Sequence, residues 1–172
     1  VKSRSAAENW FVFHSATGAT KATYLNAASA TATSVGFWND TAPTSSVFST
    51  YSAFTNASSA TYIAYLFATV AGISKVGSYT GTGSDLNVDC GFSAGAKFVL
   101  IRRTDSTGDW YVYDSVRGIV AGNDPYFLLN SGAVDVTNTD YIDPLSSGFT
   151  VTSSAPAGLN ASSGTYIFLA IA

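Results

Sequence analysis

The stretch NASSATYIAYLFA, residues 56–68, returns almost unchanged as NASSGTYIFLAIA, residues 160–172. Each copy begins with Asn, Ala and Ser, and Asn and Ser suit turns. Each then continues into aromatic and branched apolar residues, which suit a half-buried β-strand. Repetition of such a stretch is typical of a chain built from duplicated structural units.

Other segments repeat in the same order. The matched pairs are VKSRSAAENWFVFHS (1–15) with IRRTDSTGDWYVYDS (101–115), TYLN (23–26) with FLLN (127–130), and SSVF (45–48) with SSGF (146–149). Trp10 therefore corresponds to Trp110, and the alignment shifts only where Gly, Asp and Ser indicate loops. The sequence predicts two tandem units, residues 1–69 and 70–172.

The two units differ at their beginnings. Residues 72–100 of the second unit have no counterpart in the first, because Val1 already aligns with Ile101. A β domain without its opening strands would expose unpaired edges and lose core area. We therefore expect the first unit to be N-terminally truncated, with upstream sequence or another chain supplying those strands.

The composition favours a β-rich globular protein. Apolar residues make up 47% and aromatic residues 14%, while charged residues reach only 11%, against about 25% in typical soluble proteins. Runs of Thr, Val, Tyr, Phe and Ile are separated by Gly, Asn, Asp and Ser clusters, a pattern typical of all-β folds. We predict an all-β, antiparallel β-sandwich of jelly-roll type. The predicted strands are 9–15, 61–68, 73–80, 86–92, 97–103, 109–115, 125–130, 148–154 and 165–172.

Charge and hydropathy argue against two classes of partner. The net charge is −3, whereas nucleic-acid binding requires clustered basic residues. The basic pair Arg102 and Arg103 is expected to be a solvated strand end. No apolar run is long enough to cross a membrane. The glycine-rich segment 77–85 lacks the Lys-Ser/Thr ending of a phosphate loop, so we expect a hairpin there, with Gly81 and Gly83 at positive φ.

No catalytic constellation is evident, and we expect neither an enzyme nor a cofactor. The sequence contains no motif with a Ser or Cys nucleophile for which His14 could act as the base, and the counterpart of His14 in the second unit is Asp114. Paired carboxylates could hydrolyse glycans, but most of the Asp residues lie in turns, where Asp caps the local backbone. The candidates are Asp105, Asp109, Asp114, Asp124, Asp135, Asp140 and Asp143. Asp135, Asn138 and Asp140 form a weak calcium candidate, since Ca²⁺ needs six to eight oxygen ligands.

Aromatic and apolar residues supply the candidate binding surfaces. Four rings are predicted to be exposed and could bind a glycan or fill an interface between units or subunits; they are Trp38, Tyr111, Tyr113 and Tyr126. The strand 165–172 is apolar without alternation, which predicts cover on both faces, by a second sheet and by a neighbouring domain or subunit. Its residues Tyr166, Ile167, Phe168 and Leu169 form a candidate assembly interface.

The second unit resembles the C-terminal repeat domain of tail-fibre-like virion proteins of tailed bacteriophages, often found beside concanavalin-like or laminin-G-like domains. The segments that carry the resemblance are GISKVGSYTGTGS (72–84), VDCGFSAGAKFVLIRRTDSTGDWYVYDSVRGI (88–119), DPYFLLN (124–130), TNTDYIDPLSSGFTVTSSAP (137–156) and ASSGTYIFLAIA (161–172). The first unit resembles the same domain less closely, with HSATG (14–18) in place of DSVRG (114–118).

The resemblance implies a structural or adhesive component of the virion. Its expected partners are other copies of itself, other virion proteins and a host-surface glycan. Two alternatives stay open on the residues alone. One is a carbohydrate-binding module that recognises host glycans, and the other is a glycan depolymerase.

Overall fold

The computed structural model describes residues 1–172 with the exception of the Ala53 side chain. Strands account for 32% of the chain and helices for 5%, which confirms the all-β prediction. The strands are β1 (Lys2–Ser3), β2 (Phe11–Val12), β3 (Lys21–Tyr24), β4 (Ala32–Thr33), β5 (Tyr62–Ile63), β6 (Ser74–Thr80), β7 (Leu86–Asp89), β8 (Phe98–Arg103), β9 (Trp110–Asp114), β10 (Phe127–Leu128), β11 (Ile142–Leu145), β12 (Gly148–Val151) and β13 (Thr165–Ile171). The short helices are α1 (Ser52–Asn56) and α2 (Ala157–Asn160), and no described helix is long and apolar enough to cross a membrane.

The second half of the chain is an antiparallel sandwich. A five-stranded sheet, in the order β10-β9-β8-β13-β6, packs against a three-stranded sheet, in the order β11-β12-β7. The core between them includes Val99, Ile101, Tyr113 and Phe149, each fully buried. The rings of Phe149 and Phe168 meet edge to face at 5.4 Å, which joins the two sheets.

Strand β13 is an inner strand of the larger sheet, because it pairs with β6 along one edge and with β8 along the other. Tyr166, Phe168 and Ala170 point into the sandwich core. Ile167 points the other way, as alternation along a strand requires, yet it is only 2% exposed. Both faces of β13 are therefore covered, as its apolar sequence predicts.

The first half of the chain has a smaller core. Strands β2, β3 and β4 form one sheet, while β1 and β5 form a two-stranded ladder. The core contains Phe11, Ala22, Phe37 and Trp38, with partly buried rings such as Phe13 packed around them. Phe13 meets Trp38 edge to face at 5.9 Å.

Stretches that match in sequence also make equivalent hydrogen bonds, each within its own half of the chain. The side-chain oxygen of Asn26 accepts the N–H of Trp10 at 2.8 Å, and that of Asn130 accepts the N–H of Trp110 at 2.8 Å. Strand pairing matches as well, since β2–β3 and β9–β10 are both two-residue antiparallel ladders beside these bonds.

The repeated NASS stretches make the same turn. The hydroxyl of Tyr62 accepts the N–H of Ala57 at 2.9 Å, and the hydroxyl of Tyr166 accepts the N–H of Ala161 at 2.7 Å. A serine with positive φ follows in each case, Ser59 at 61° and Ser163 at 63°. The division into tandem units after residue 69 stays a prediction, and the shared bonding supports it.

Arg102 connects the two halves, and its expected place at a solvated strand end is wrong. It is fully buried and donates from Nη1 to the carbonyl of Ala27 at 2.7 Å and from Nη2 to the carbonyl of Ser29. Its guanidinium lies 5.2 Å from the ring centroid of Trp110, whose indole N–H donates to the Tyr24 carbonyl at 2.8 Å. Burial lowers the pKa of Arg102.

Two other local predictions need correction. The expected hairpin at 77–85 does not form, because β6 pairs with β13 in one sheet and β7 pairs with β12 in the other. Gly83 has the predicted positive φ of 72°, whereas Gly81 is required for close packing, since a Cβ there would lie 2.3 Å from the Ala161 carbonyl oxygen. The structure also adds β1, β3, β4 and β11, which are not among the predicted strands.

Replacing Arg102 by Ala should lower the free energy of unfolding by about 2–4 kcal/mol, because the carbonyls of Ala27 and Ser29 lose a charged donor that is itself buried. The matched control is Arg103→Ala, which removes a more exposed guanidinium whose ion pair with Asp105 is 2.9 Å long and should cost at most about 1 kcal/mol. Urea unfolding measures both values. Equal losses for the two variants would contradict the assigned role of Arg102.

Candidate interaction surface

The most unusual surface feature is a run of exposed apolar residues beyond the NASS turn of the first half. Ile63, Tyr65, Leu66 and Phe67 are 36%, 62%, 74% and 64% exposed. Single exposed apolar residues are ordinary, but contiguous ones mark interaction surfaces. We call residues 62–68 the open edge.

The open edge is exposed because it lacks the neighbours that its counterpart has. Residues 62–68 correspond to 166–172, which β6 and β8 flank along almost their whole length. In the first half only β1 pairs with this segment, through Lys2 with Ile63 and Ser3 with Tyr62. Among the described residues, no strand pairs with 64–67, so the backbone groups there are open to a partner.

The open edge is held at its middle residue, Tyr65, and the chain turns back beyond its C-terminal end. The ring of Tyr65 stacks on Trp10 with centroids 6.1 Å apart and planes 19° apart. After residue 68 the chain turns back, and the Ser74 N–H donates to the Val70 carbonyl at 2.9 Å as β6 begins. The segment 61–70 contains no charged residue, Pro or Gly, so it lacks the residues that usually prevent strand pairing at an edge.

The predicted assembly residues of the second half are not available for assembly. Tyr166, Ile167 and Phe168 are at most 3% exposed, because the second sheet covers one face of β13 and the first half covers the other. Leu169 is partly buried in the same strand. The prediction of an interface there is wrong for this chain, and the exposed counterparts of these residues lie in the open edge.

The predicted aromatic platform is also corrected. Trp38 is 3% exposed, and its indole N–H donates to the Lys21 carbonyl at 2.8 Å. Tyr113 is fully buried, and Tyr111 and Tyr126 are half-buried. The ring of Tyr126 lies 5.2 Å from that of Tyr111 and 5.6 Å from that of Tyr113, so these rings pack on one another instead of facing solvent.

The calcium candidates are not brought together. Asp135 accepts from the Nε of Arg117 at 2.7 Å, which commits it to an ion pair. Asn138 is exposed at a positive φ of 59°, and Asp140 is partly buried. Within the described residues, no group of three or more His, Cys, Asp or Glu residues could hold a metal ion.

His14 and Asp114 have the same structural role. Nδ1 of His14 accepts the N–H of Ala16 at 3.1 Å, and Oδ1 of Asp114 accepts the N–H of Val116 at 3.0 Å. Each side chain therefore caps the turn after a matched strand. Burial lowers the pKa of His14, with partial opposition from the Phe168 backbone.

Asp124 is a buried carboxylate whose importance the sequence did not reveal. Its Oδ1 accepts the N–H of Tyr141 at 2.9 Å and its Oδ2 accepts the N–H of Ile142 at 2.9 Å, while its own carbonyl accepts from the Thr139 hydroxyl at 2.7 Å. These bonds fasten the loop before β11 to the sandwich. Burial raises the pKa of Asp124 to about 7, against the effect of the two backbone donors.

An open groove of about 530 Å³ runs between the two halves. Hydroxyl groups dominate its lining, and one basic and one acidic side chain join them. The polar lining residues are Thr17, Lys21, Thr31, Ser78, Thr80, Thr104, Asp105 and Thr165. Such a lining can hydrogen-bond a neutral polar ligand.

The whole chain, residues 1–172, matches the protein family described as a domain of unknown function (DUF7483). The chain belongs to this family. Comparison with curated proteins and with solved structures gives no match. The DUF7483 description names no activity or ligand, so the surface of this DUF7483 domain has to indicate its function.

The buried Asp124 should make stability depend on pH. Because burial raises the pKa of folded Asp124 to about 7, above the ordinary aspartate pKa of about 3.9, its contribution to stability is fully present at low pH and is lost as pH rises from about 4 to about 7. The free energy of unfolding of wild type, relative to Asp124→Asn, should fall across that interval by an amount on the order of 1–4 kcal/mol.

The measurement is urea unfolding of both proteins at several pH values between 4 and 8. Asp89→Asn serves as the control, since it makes the same substitution at an exposed carboxylate. Parallel profiles for wild type and Asp124→Asn would show that Asp124 titrates as an ordinary exposed carboxylate.

Proposed function

We propose that this DUF7483 domain is a structural and adhesive module of a bacteriophage virion, placed in a tail fibre or another appendage. The observation that carries the proposal is the open edge, an uncharged and exposed apolar segment of the first half, in which only Tyr62 and Ile63 are paired and no described strand pairs with residues 64–67. Such an edge is a template for adding a strand from another chain. The module assembles through it with other copies or other virion proteins.

Three further features support this proposal. The repeated unit and its low charged fraction suit a scaffold, and the resemblance of the sequence to tail-fibre repeat domains supports the proposal of an extracellular particle. Two of the acidic side chains already make contacts that stabilise the fold. Asp105 forms an ion pair with Arg103, and Asp114 caps the turn that follows β9. A function based on assembly needs no further chemical group.

A carbohydrate-binding module is the second candidate, and the groove between the halves favours it. Its threonine and serine hydroxyls, together with Lys21 and Asp105, could bind sugar hydroxyl groups. The rings first expected to bind glycans do not form this site, because Trp38 and Tyr113 are buried elsewhere. Glycan contact would therefore use polar groups of the groove.

Leu66→Asp should abolish assembly, because it places a charge in the middle of the open edge. Sedimentation velocity over a range of protein concentrations measures this, with wild type expected to form larger species as concentration rises. The matched control is Val116→Asp, which adds the same charge at a residue 95% exposed in a loop after β9 and should assemble like wild type. Unchanged assembly by Leu66→Asp would rule out the open edge as the interface.

A glycan array tests the second candidate. Thr80→Trp fills the groove with an indole and should remove binding, whereas Leu66→Asp should preserve it. Binding that survives Thr80→Trp would exclude the groove, and an array without signal for wild type would exclude the glycan function for the sugars displayed.

A further inference from the structure

We infer that the open edge accepts an antiparallel strand of the β6 type, contributed by another unit of the same repeat, in the register that β6 adopts on β13. This inference rests on the proposed assembly function and names its partner. The second half of the chain supplies the template, because there the equivalent strand is already paired.

The register follows from the matched residues. In the second half, Tyr166 pairs with Tyr79, Ile167 with Ser78, Leu169 with Val76 and Ile171 with Ser74. The counterparts on the open edge are Tyr62, Ile63, Tyr65 and Phe67, in that order. An incoming strand would therefore place its Val76 equivalent opposite Tyr65.

Side-chain size favours a β6-type strand over a second copy of the open edge. Ile63, Tyr65 and Phe67 would lie on one face of the segment once it is paired as a strand, and a strand of β6 type offers them Ser78, Val76 and Ser74. Small residues opposite large ones pack without voids or overlap. Pairing with another open edge would bring bulky side chains against bulky side chains on the same face.

The tyrosine pair shows what else the incoming strand would contribute. The rings of Tyr79 and Tyr166 stack at 4.8 Å with planes 12° apart, and the Tyr79 hydroxyl donates to the Leu159 carbonyl at 2.7 Å. In the first half the corresponding groups are the ring of Tyr62 and the carbonyl of Thr55. A tyrosine at the matching position of the partner strand could therefore fasten it to the α1 turn.

One constraint of β6 is relaxed at the open edge. A side chain on Gly77 would place its Cβ 2.5 Å from Cζ of Phe168, so glycine is required there in the second half. The counterpart of Phe168 is Ala64, whose methyl group leaves room. The partner strand can thus carry a larger residue than glycine at this position, and strands from related units with different sequences can fit.

The test uses the full chain and a synthetic peptide with the sequence ISKVGSYT, residues 73–80. Hydrogen exchange of the amides at 62–67 should slow when the peptide is added. A peptide carrying Gly77→Pro should not protect them, because proline removes an N–H on the edge of β6 that faces β13 in the second half. The chain variant Leu66→Pro should also lose peptide binding while keeping its fold, since Leu66 N–H makes no backbone hydrogen bond to another described residue.

Disulfide cross-linking in a Cys90→Ala background measures the register of the peptide on the open edge. Tyr65→Cys in the chain should cross-link with peptide carrying Val76→Cys faster than with peptide carrying Lys75→Cys, because a one-residue shift moves the thiol about 3.3 Å and to the opposite face. Absence of amide protection, or equal cross-linking at both positions, would overturn the inference.

The two proposals fail separately. If Leu66→Asp abolishes assembly but the peptide neither protects nor cross-links, assembly through the open edge stands and the β6-type partner is wrong. If the peptide binds in register but assembly is unaffected by Leu66→Asp, the strand site is real and the structural function is wrong.

Discussion

The buried guanidinium of Arg102 determines how the two halves of this domain fit together. A buried cation is costly unless its N–H groups find acceptors. Here the two terminal nitrogens of the guanidinium donate to the backbone carbonyls of Ala27 and Ser29, and the ring of Trp110 lies beside it. Those carbonyls belong to the loop after β3, so the loop has to lie across the larger sheet of the second half. The first half therefore covers the outer face of β13 and buries Ile167.

The same arrangement explains why matching residues of the two repeats differ in solvent exposure although each repeat makes equivalent hydrogen bonds. Lys2 is the counterpart of Arg102, and its ammonium donates to the carbonyl of Ser3, its own neighbour in sequence, at 2.7 Å. The first half covers the second, but nothing in the described chain covers the first in the same way. One strand sequence is thus buried on both faces at 165–171 and exposed at 62–68. The neighbouring strands, and not the local sequence, therefore determine which of the two segments is exposed to solvent.

The positions of many strands can be predicted from the sequence, because the alternation of side chains and the residues that form turns are local features of the chain. The strands near Phe98, Trp110 and Thr165 lie within a residue or two of their predicted bounds. The pattern could not show which strands pair, so β6 and β7 were expected to form a hairpin and instead belong to different sheets. It also could not show the burial of Arg102, Asp124 or Trp38, since the groups that satisfy each of them are remote in sequence or in another element. For the open edge, the repeat indicates that the strand at 62–68 lacks the neighbours of its counterpart. Which of its side chains are exposed is seen only in the structure.

The chain treats the outer edge of β6 and the open edge differently, and this contrast favours a functional role for the open edge. The outer edge of β6 is protected, because the Thr69 hydroxyl accepts the Val76 N–H at 3.1 Å and the turn at Val70 folds back on Ser74. Lys75 adds a charge beside that edge, as edge strands that must stay unpaired commonly do. Only a few residues earlier, the open edge carries four apolar side chains and no such protection. An edge that is left unprotected beside one that is blocked is best explained by a partner strand that occupies it.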